Sequence, residues 1–194
     1  MEMLSPAAEM LAKEFIRPLK RVEYDRLAAA GCFEDEKVEL LFGMVVVMTP
    51  IDPSHNMAVY QVRRSLEAGL SDRATVLSQS SFAASEDSEP EPDIFVIPND
   101  DRSWTEHPSR AHLVVEIART SLEHDQGPKS ILYGSSRVEE YWIVNLPEHV
   151  VEVYRDPYRG RWRSKSIHHR GERVHMLAFP DVSIAVDDML PPPR

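Results

Sequence analysis

Short apolar runs, each ended by proline, glycine or charge, constrain the fold of this chain more than any other feature. The clearest run, Val45-Val46-Val47, is β-branched throughout. Such residues pack well on a pleated sheet, and short apolar runs with these boundaries are typical of strands. The predicted strands cover residues 38–42, 44–48, 75–82, 93–97, 112–117, 141–145 and 150–155, and the first two flank a glycine as a hairpin or bent strand pair.

Three segments are predicted to be helices. In 57–70, apolar residues recur every four residues, as on a buried helix face, and Ser54 is a suitable N-cap. Residues 22–30 are rich in helix formers and end before Gly31. A third helix is predicted over 128–137, because proline is tolerated in a first helical turn. Strands on both sides of helices indicate an α+β or mixed α/β fold.

The length and composition of the chain indicate one domain. With 194 residues, of which 42% are hydrophobic, the chain can bury one core, whereas two domains would be small. We therefore expect a single domain over 1–194, with its core at about 20–190 and loose ends, including a disordered tail from Pro191 to Arg194. The formal net charge of −10 argues against a protein that coats nucleic acid, so any such contact is expected to be local.

Three features predict a cytoplasmic protein with no membrane partner. Cys32 is the one cysteine, so it cannot form an internal disulfide, and we expect it to be a small buried apolar residue rather than a reactive thiol. Glu9 and Lys13 interrupt the N-terminal region before an export signal could form. No stretch approaches the roughly 20 apolar residues that span a bilayer.

Three carboxylates are embedded in apolar sequence that otherwise resembles a protein core. Glu116 ends the run Leu113-Val114-Val115, Asp93 begins a strand after two prolines, and Glu39 lies among apolar neighbours in the first hairpin. Such residues are almost never fully buried unless they are paired or bind metal. Carboxylates that converge at strand ends predict a site for Mg²⁺ or Mn²⁺, which prefer oxygen ligands. Strand-end hydrogen bonds or ordinary salt bridges are the alternative explanation.

Lys129, near the start of the third predicted helix, completes this set. A lysine beside metal-binding carboxylates could hold an attacking water or offset charge on a phosphate in the transition state. Alternatively, Lys129 is a solvated surface charge, and Glu39 faces water on the open side of an antiparallel sheet. His55 and Gln79 are accessory candidates, although a backbone hydrogen bond is the simpler explanation for His55 and a cross-strand bond explains Gln79 equally well.

The order of these motifs resembles the Uma2-like family of the PD-(D/E)XK nuclease superfamily, whose members are described as restriction endonucleases. The Pro-Glu-Pro-Asp and Glu-Tyr-Trp segments are specific in combination, whereas a lone Pro-Asp would not be. The matching segments are Val38 to Gly43, Pro50 to His55, Ser88 to Asp93, and Val114 to Ile117 running on through Asp125, Gly127, Lys129 and Tyr133 to Glu140-Tyr141-Trp142.

The resemblance implies a restriction-endonuclease-like mixed sheet flanked by helices, with additional C-terminal strands. It implies that Asp93 and Glu116 bind the metal, with the main-chain carbonyl of Ile117 as a further ligand. It also implies that Glu39 approaches from the first helix or hairpin. The expected partner is nucleic acid, and a homodimer would suit cutting both strands of a duplex.

The family's lysine is expected at a shifted position in this chain. Ala118, not lysine, stands two residues after the glutamate, so Lys129 inherits the role by resemblance. Pro128, Ser130 and residues 134–137 depart from the family pattern around this lysine. These departures affect the third helix and remove none of the candidate catalytic residues.

The C-terminal third contains the one basic cluster. Its residues Arg159, Arg161, Trp162, Arg163 and Lys165 combine charge with an aromatic ring, as in surfaces that bind phosphates and stack bases. The stronger alternative is the solvated face of an edge hairpin, because Arg161, Arg163 and Lys165 alternate at strand spacing. The nearby histidines have no partners at zinc spacing, so a structural zinc site is rejected.

Two functions from different classes are therefore considered. The preferred one is a Mg²⁺- or Mn²⁺-dependent endonuclease that cleaves DNA, with Glu39, Asp93, Glu116 and Lys129 as catalytic residues. The alternative is a non-catalytic protein of the same fold that binds nucleic acid or a protein partner. A hydrolase of smaller phosphate compounds is a third, weaker hypothesis, because fold and ligands do not select the substrate.

Overall fold

The computed structural model describes residues 17–48, 52–101 and 103–192. Its helices are α1 (Arg21–Ala29), α2 (Pro53–Leu70), α3 (Leu122–His124), α4 (Ser130–Ser135) and α5 (Val186–Met189). Its strands are β1 (Val38–Leu41), β2 (Met44–Val47), β3 (Thr75–Leu77), β4 (Ile94–Ile97), β5 (Arg110–Ala111), β6 (Leu113–Ala118), β7 (Arg137–Val138), β8 (Glu140–Asn145), β9 (Val150–Tyr158), β10 (Arg161–His168), β11 (Arg173–His175) and β12 (Ser183–Ala185). A 3-10 turn (Asn99–Asp101) and a π-helical turn (Asp125–Lys129) interrupt the connections.

A six-stranded mixed sheet forms the centre of the fold, in the order β10-β9-β8-β6-β4-β3. Its neighbouring strands are antiparallel except β6 and β8, which are parallel with Glu116 opposite Ile143. Parallel strands need a crossover connection. Here the crossover contains α3, the π-helical turn and α4, so Lys129 lies on the segment that joins the two parallel strands.

Helices cover both faces of this sheet. On one face, α2 buries Val62, Leu66 and Leu70 against apolar residues of β4, β6, β8 and β9. On the other face, Tyr133 of α4 packs with a second cluster that includes Tyr141, at a ring-centroid distance of 5.0 Å. The central strands are buried on both faces, which explains why their apolar runs are continuous rather than alternating. The predicted mixed α/β class, with a sheet flanked by helices, is confirmed.

The hairpin formed by β1 and β2 lies outside the central sheet. All four positions of β1 are buried, whereas Met44 and Val47 of β2 are exposed. Leu40 connects the hairpin to the rest of the fold, because its N–H and C=O both form hydrogen bonds with the backbone of Glu89. Gly43 makes the hairpin turn with φ 73°, a conformation that favours glycine.

The main helix begins earlier than its apolar repeat predicts. α2 starts at Pro53, and its N-cap is Asp52 instead of the predicted Ser54. Asp52 Oδ1 accepts hydrogen bonds from the backbone N–H groups of Ser54 at 2.8 Å and His55 at 3.3 Å. Its carboxylate therefore satisfies the free donors of the first turn, as a good N-cap does.

The predicted strand over 75–82 is too long, because β3 ends at Leu77. Gln79 has φ 48°, and its backbone N–H donates to the carbonyl oxygens of Pro92 and Asp93. The chain therefore leaves the sheet at this point and turns toward the segment that precedes β4.

The predicted helix over 128–137 is divided in the structure. Residues Asp125–Lys129 form the π-helical turn, α4 follows as Ser130–Ser135, and Arg137 already belongs to β7. Pro128 has no N–H to donate, and the N–H of Ser130 donates to the carbonyl of Asp125, five residues back. Proline therefore accounts for the widened turn immediately before α4.

The prediction that Cys32 is buried is wrong, because this cysteine is exposed. It lies in the polar turn between α1 and β1, outside the apolar clusters. Within the predicted C-terminal tail, the carbonyl of Pro191 accepts a hydrogen bond from Arg170. The last two residues of that tail, 193–194, lie outside the described residues, as do 1–16 and 49–51. Among the described residues, no helix is both long enough and apolar enough to cross a membrane.

Candidate active site

A cleft of about 590 Å³ opens where the hairpin meets the central sheet. It is bounded by the hairpin, the start of α2, the segment before β4, and the carboxyl end of β6 with its crossover connection. The four residues predicted to be catalytic all line it: Glu39, Asp93, Glu116 and Lys129. These residues come from four different segments, so only the folded chain brings them together.

Glu116 is the central buried carboxylate of the cleft, with 3% of its surface exposed. Its Oε1 accepts hydrogen bonds from Tyr133 Oη at 2.7 Å and Lys129 Nζ at 3.0 Å. Its Oε2 accepts the backbone N–H of Asp93 at 3.3 Å. Because side chains alternate along a strand, Glu116 points to the face of the sheet that α4 covers, together with Val114.

Asp93 lies immediately before β4, and its side chain reaches across to β6. Its Oδ2 accepts the backbone N–H of Ile117 at 2.7 Å and lies 3.0 Å from His55 Nε2. The backbone N–H of Asp93 in turn donates to Glu116. These bonds hold the two predicted metal ligands side by side, one just before β4 and one on the adjacent β6, and they bring the accessory candidate His55 into contact with Asp93.

Glu39 enters the cleft from β1, and only 3% of its surface is exposed. The alternative that it faces water is therefore wrong. Its Oε2 accepts the backbone N–H of Glu91 at 3.2 Å and lies 3.4 Å from Lys129 Nζ. Its Oε1 lies 3.7 Å from His124 Nε2, which is an ion-pair distance and too long for a hydrogen bond.

Lys129 is buried between Glu39 and Glu116, so the alternative of a solvated surface charge is wrong. The π-helical turn places it there. Tyr141 supports this turn from the sheet, because its hydroxyl donates to the carbonyl of Asp125 at 3.1 Å. The single ammonium group thus contacts carboxylates from two different strands.

Asp125 and Tyr133 also belong to this site, although no role was predicted for either of them. Asp125 is buried and accepts a hydrogen bond from Ser121 Oγ at 2.6 Å. Tyr133 donates to Glu116. The signal that could have identified both is their spacing, because each stands four residues from Lys129 and residues so spaced share one face of a helix.

Negative charge exceeds positive charge in this cleft. Burial raises the pKa of Glu116 to about 8 and that of Asp125 to about 6, although the charge of Lys129 acts in the opposite direction. Burial disfavours the charged form of Lys129, but Glu116 and Glu39 outweigh burial and raise the pKa of Lys129. With Asp93, four carboxylates face one lysine, so protons or an added cation must balance the remaining charge.

The stability of the metal-free protein is expected to fall as pH rises from about 5 to 8. The raised pKa values of Glu116 and Asp125 mean that the folded chain binds more protons than the unfolded chain in this window, and stability then decreases with pH. Urea unfolding in chelator at pH 5.5, 6.5 and 8 measures the slope. The Glu116→Gln variant should show a flatter slope, whereas native stability that rises across this window would contradict the assignment.

A second buried polar cluster holds the π-helical turn from the side of β9. Glu152 accepts hydrogen bonds from Gln126 Nε2 at 2.8 Å, Asn145 Nδ2 at 3.2 Å and Tyr154 Oη at 2.6 Å. Lys165 Nζ lies 2.7 Å from Glu152 Oε2, the oxygen that also accepts the Tyr154 hydroxyl. Gln126 belongs to the same turn as the site lysine, so this cluster fixes the turn to the sheet.

Gln79 lines the cleft, whereas the basic cluster of the C-terminal third lies elsewhere, on β10 and the adjoining turn. Lys165 pairs with Glu152, and Trp162 Nε1 donates to the carbonyl of Ser130 at 3.0 Å. Arg163 lies over the Tyr158 ring, 4.3 Å from its centroid, as does Arg159 at 5.3 Å. β10 is an edge strand, as the alternative predicts, and contact with nucleic acid stays a prediction for this cluster.

The residues of the cleft fit a hard divalent cation. Their donors are carboxylate oxygens, and their excess negative charge is what such an ion neutralises. Among the described residues, no three His, Cys, Asp or Glu side chains stand close enough together to hold an ion as arranged. Lys129 Nζ lies between Glu39 and Glu116, which leaves Asp93 and Glu116 as the adjacent pair of candidate ligands.

The mixed sheet flanked by helices, with an acidic cleft at the carboxyl end of β6, is a restriction-endonuclease-like fold. The family model Uma2, with the description "Putative restriction endonuclease", matches residues 21–187, and the chain belongs to this family. None of the curated proteins matches the chain.

Solved structures that are similar to this chain include the following two. One is the crystal structure of a "putative nuclease belonging to DUF820" from Anabaena variabilis, with a TM-score of 0.70 and 16% identity, covering 89% of this chain and 97% of that one. The other is the type IIG restriction endonuclease BpuSI, with a TM-score of 0.36 and 13% identity, covering 57% of this chain and 13% of that one. The first structure supports the fold, whereas the TM-score of the second is too low to support a conclusion about the fold.

Proposed function

We propose that this protein is a metal-dependent endonuclease that hydrolyses phosphodiester bonds in DNA. The observation that carries the proposal is the position of Lys129, buried between Glu39 and Glu116 at the wall of an open cleft that Asp93 also lines. An ion pair that only stabilises the fold does not have to lie at the wall of an open cleft. A buried cation beside carboxylates is suited to a substrate that brings its own negative charge into the cleft.

Mg²⁺ or Mn²⁺ is the proposed cofactor, with Asp93, Glu116 and the main-chain carbonyl of Ile117 as its ligands. When bound, such an ion polarises the phosphodiester and lowers the pKa of a coordinated water. The chain's own residues prepare this site. Tyr133 holds one oxygen of Glu116, and His55 orients Asp93.

Lys129 is proposed to stabilise the negative charge that develops on the phosphate. Its neighbours Glu39 and Glu116 keep it protonated, because they raise its pKa. Tyr141 and Gln126 hold the turn that aims it. Because the Lys129 ammonium group is held in place before the substrate arrives, the site needs little reorganisation during the reaction.

The proposal is tested by cleavage of supercoiled plasmid and short duplex DNA with Mg²⁺, Mn²⁺ or chelator. We expect metal-dependent cutting that falls by about 100-fold or more in Asp93→Asn, because one ligand loses its charge while the side chain keeps its shape. Asp156→Asn is the matched control, since Asp156 is exposed on β9 and does not line the cleft.

Equal cutting by all three proteins would place the chemistry elsewhere. Absence of cutting by folded native protein that still binds DNA would favour the alternative, a non-catalytic binding module of the same fold. The homodimer stays a prediction, and its mass in solution can be measured on the same samples.

A further inference from the structure

The main helix α2 starts at the cleft and leaves it along the surface of the molecule. Its N-cap Asp52 and its first-turn residue His55 both line the cleft. One turn further on, Met57 and Tyr60 expose 58% and 55% of their surface. These two side chains lie next to each other on the helix, whose opposite face is buried, and so form an exposed apolar surface close to the cleft.

The exposed face of α2 combines an aromatic ring with polar and basic side chains. Asn56, Tyr60 and Arg63 stand at the spacing i, i+4, i+7 and therefore share one stripe of the helix. Arg64 lies four residues beyond Tyr60, so two arginines neighbour the ring one turn away. All four side chains are exposed.

This stripe is continuous with the cleft through the segment after β3. Arg63 Nη1 donates to Ser78 Oγ at 3.0 Å, and the next residue, Gln79, lines the cleft. Arg63 also pairs with Glu67 at 2.8 Å, but both partners are about half exposed. Such a surface pair contributes little, so a phosphate can replace Glu67 at small cost.

Of the basic cluster, Arg159 and Arg161 at the tip of the β9–β10 hairpin lie further from the cleft. Glu152 stands level with Glu116 across the sheet, because both are aligned with Ile143. Tyr158, at the end of β9, is six residues beyond Glu152, which at about 3.3 Å per residue is about 20 Å along the strand. α2, by contrast, begins at the cleft, so its exposed face is the nearer of the two surfaces.

We infer that the exposed face of α2 is the path by which one strand of nucleic acid reaches the cleft, with an unpaired base stacked on Tyr60 and phosphates held by Arg63 and Arg64. Aromatic stacking with flanking arginines is how proteins bind single strands without sequence preference. The inference rests on the proposed function, since it supplies the substrate track for that same cleft. It also explains how an acidic protein attracts a polyanion locally.

The test is fluorescence anisotropy of a labelled single-stranded oligonucleotide in Ca²⁺ buffer, which separates binding from cleavage. Tyr60→Ala should weaken binding by about 5- to 100-fold, and Tyr60→Phe should retain native affinity because the ring is kept. Arg63→Ala combined with Arg64→Ala should weaken binding and flatten its salt dependence. Arg26→Ala combined with Arg137→Ala is the matched control: it removes the same charge from two exposed positions that do not line the cleft, and it should leave affinity unchanged.

The outcomes distinguish failure of the inference from failure of the proposed function. Native binding that Tyr60→Ala does not weaken overturns the inference and leaves the nuclease proposal standing. Absence of binding to any nucleic acid overturns both. If Tyr60→Ala instead separates a dimer, as light scattering would show, the patch is an interface between two copies and the inference is wrong. Tyr60 is exposed, so thermal unfolding should show a native fold in all variants.

Discussion

Replacing Lys129 with methionine is expected to lower the free energy of unfolding by about 3–5 kcal/mol and cleavage by at least about 100-fold. Methionine fills a similar volume but removes the charge between Glu39 and Glu116. Two buried carboxylates then face each other without a cation, which costs far more than the loss of a surface pair. Urea unfolding and plasmid cleavage measure the two effects.

Lys37→Met is the control for this substitution. Lys37 also lines the cleft and also pairs with a carboxylate, Glu91 at 3.2 Å, but both partners are partly exposed. The expected loss of stability is at most about 1 kcal/mol. If Lys129→Met is no less stable than Lys37→Met, the ion pairs of Lys129 with Glu39 and Glu116 do not stabilise the fold as proposed.

Glu116→Gln is expected to separate stability from activity. Glutamine can still accept hydrogen bonds from Tyr133 and Lys129, and it removes a negative charge from a crowded site. It loses the bond from the backbone N–H of Asp93. We therefore expect stability at pH 8 to be retained or to rise, because glutamine carries no charge that burial disfavours, while Mn²⁺ binding weakens by at least about tenfold and cleavage is lost. Calorimetry of Mn²⁺ binding and urea unfolding provide the two readouts.

Glu140→Gln gives the opposite pattern and serves as its control. Glu140 is fully buried on β8, where it pairs with Arg155 and accepts the backbone N–H of Leu177. Removing its charge should lower stability by about 1–3 kcal/mol and leave Mn²⁺ binding unchanged. If both variants bind Mn²⁺ as the native protein does, Glu116 is not a ligand and the proposed metal site is wrong.

The sequence allowed much of the sheet to be predicted, because buried strands leave a local pattern. The apolar runs around Val114 and Ile143 appear as strands in both the prediction and the structure. The carboxylates within such runs could also be singled out, since a charge in apolar sequence must find a partner. The structure brings Glu39, Asp93 and Glu116 to one cleft, and their chemical roles stay predictions.

Other features could not be predicted, because they depend on contacts between distant segments. The Asp52 cap competes with a nearby serine, and only the folded backbone decides between them. The π-helical turn depends on Pro128 and on support from Glu152 through Gln126, 26 residues away in sequence. The burial of Asp125 likewise depends on the sheet that packs against this turn, from which Tyr141 donates to the Asp125 carbonyl.

The exposed thiol of Cys32 affects how this protein should be handled. It is the one cysteine of the chain and lies at the surface, so two molecules can become covalently linked through it when no reductant is present. Such a pair would have the mass of a homodimer without any interface. The same thiol accepts a single fluorophore without prior mutagenesis. Because Cys32 precedes β1, that fluorophore would report directly on movement of the hairpin that carries Glu39.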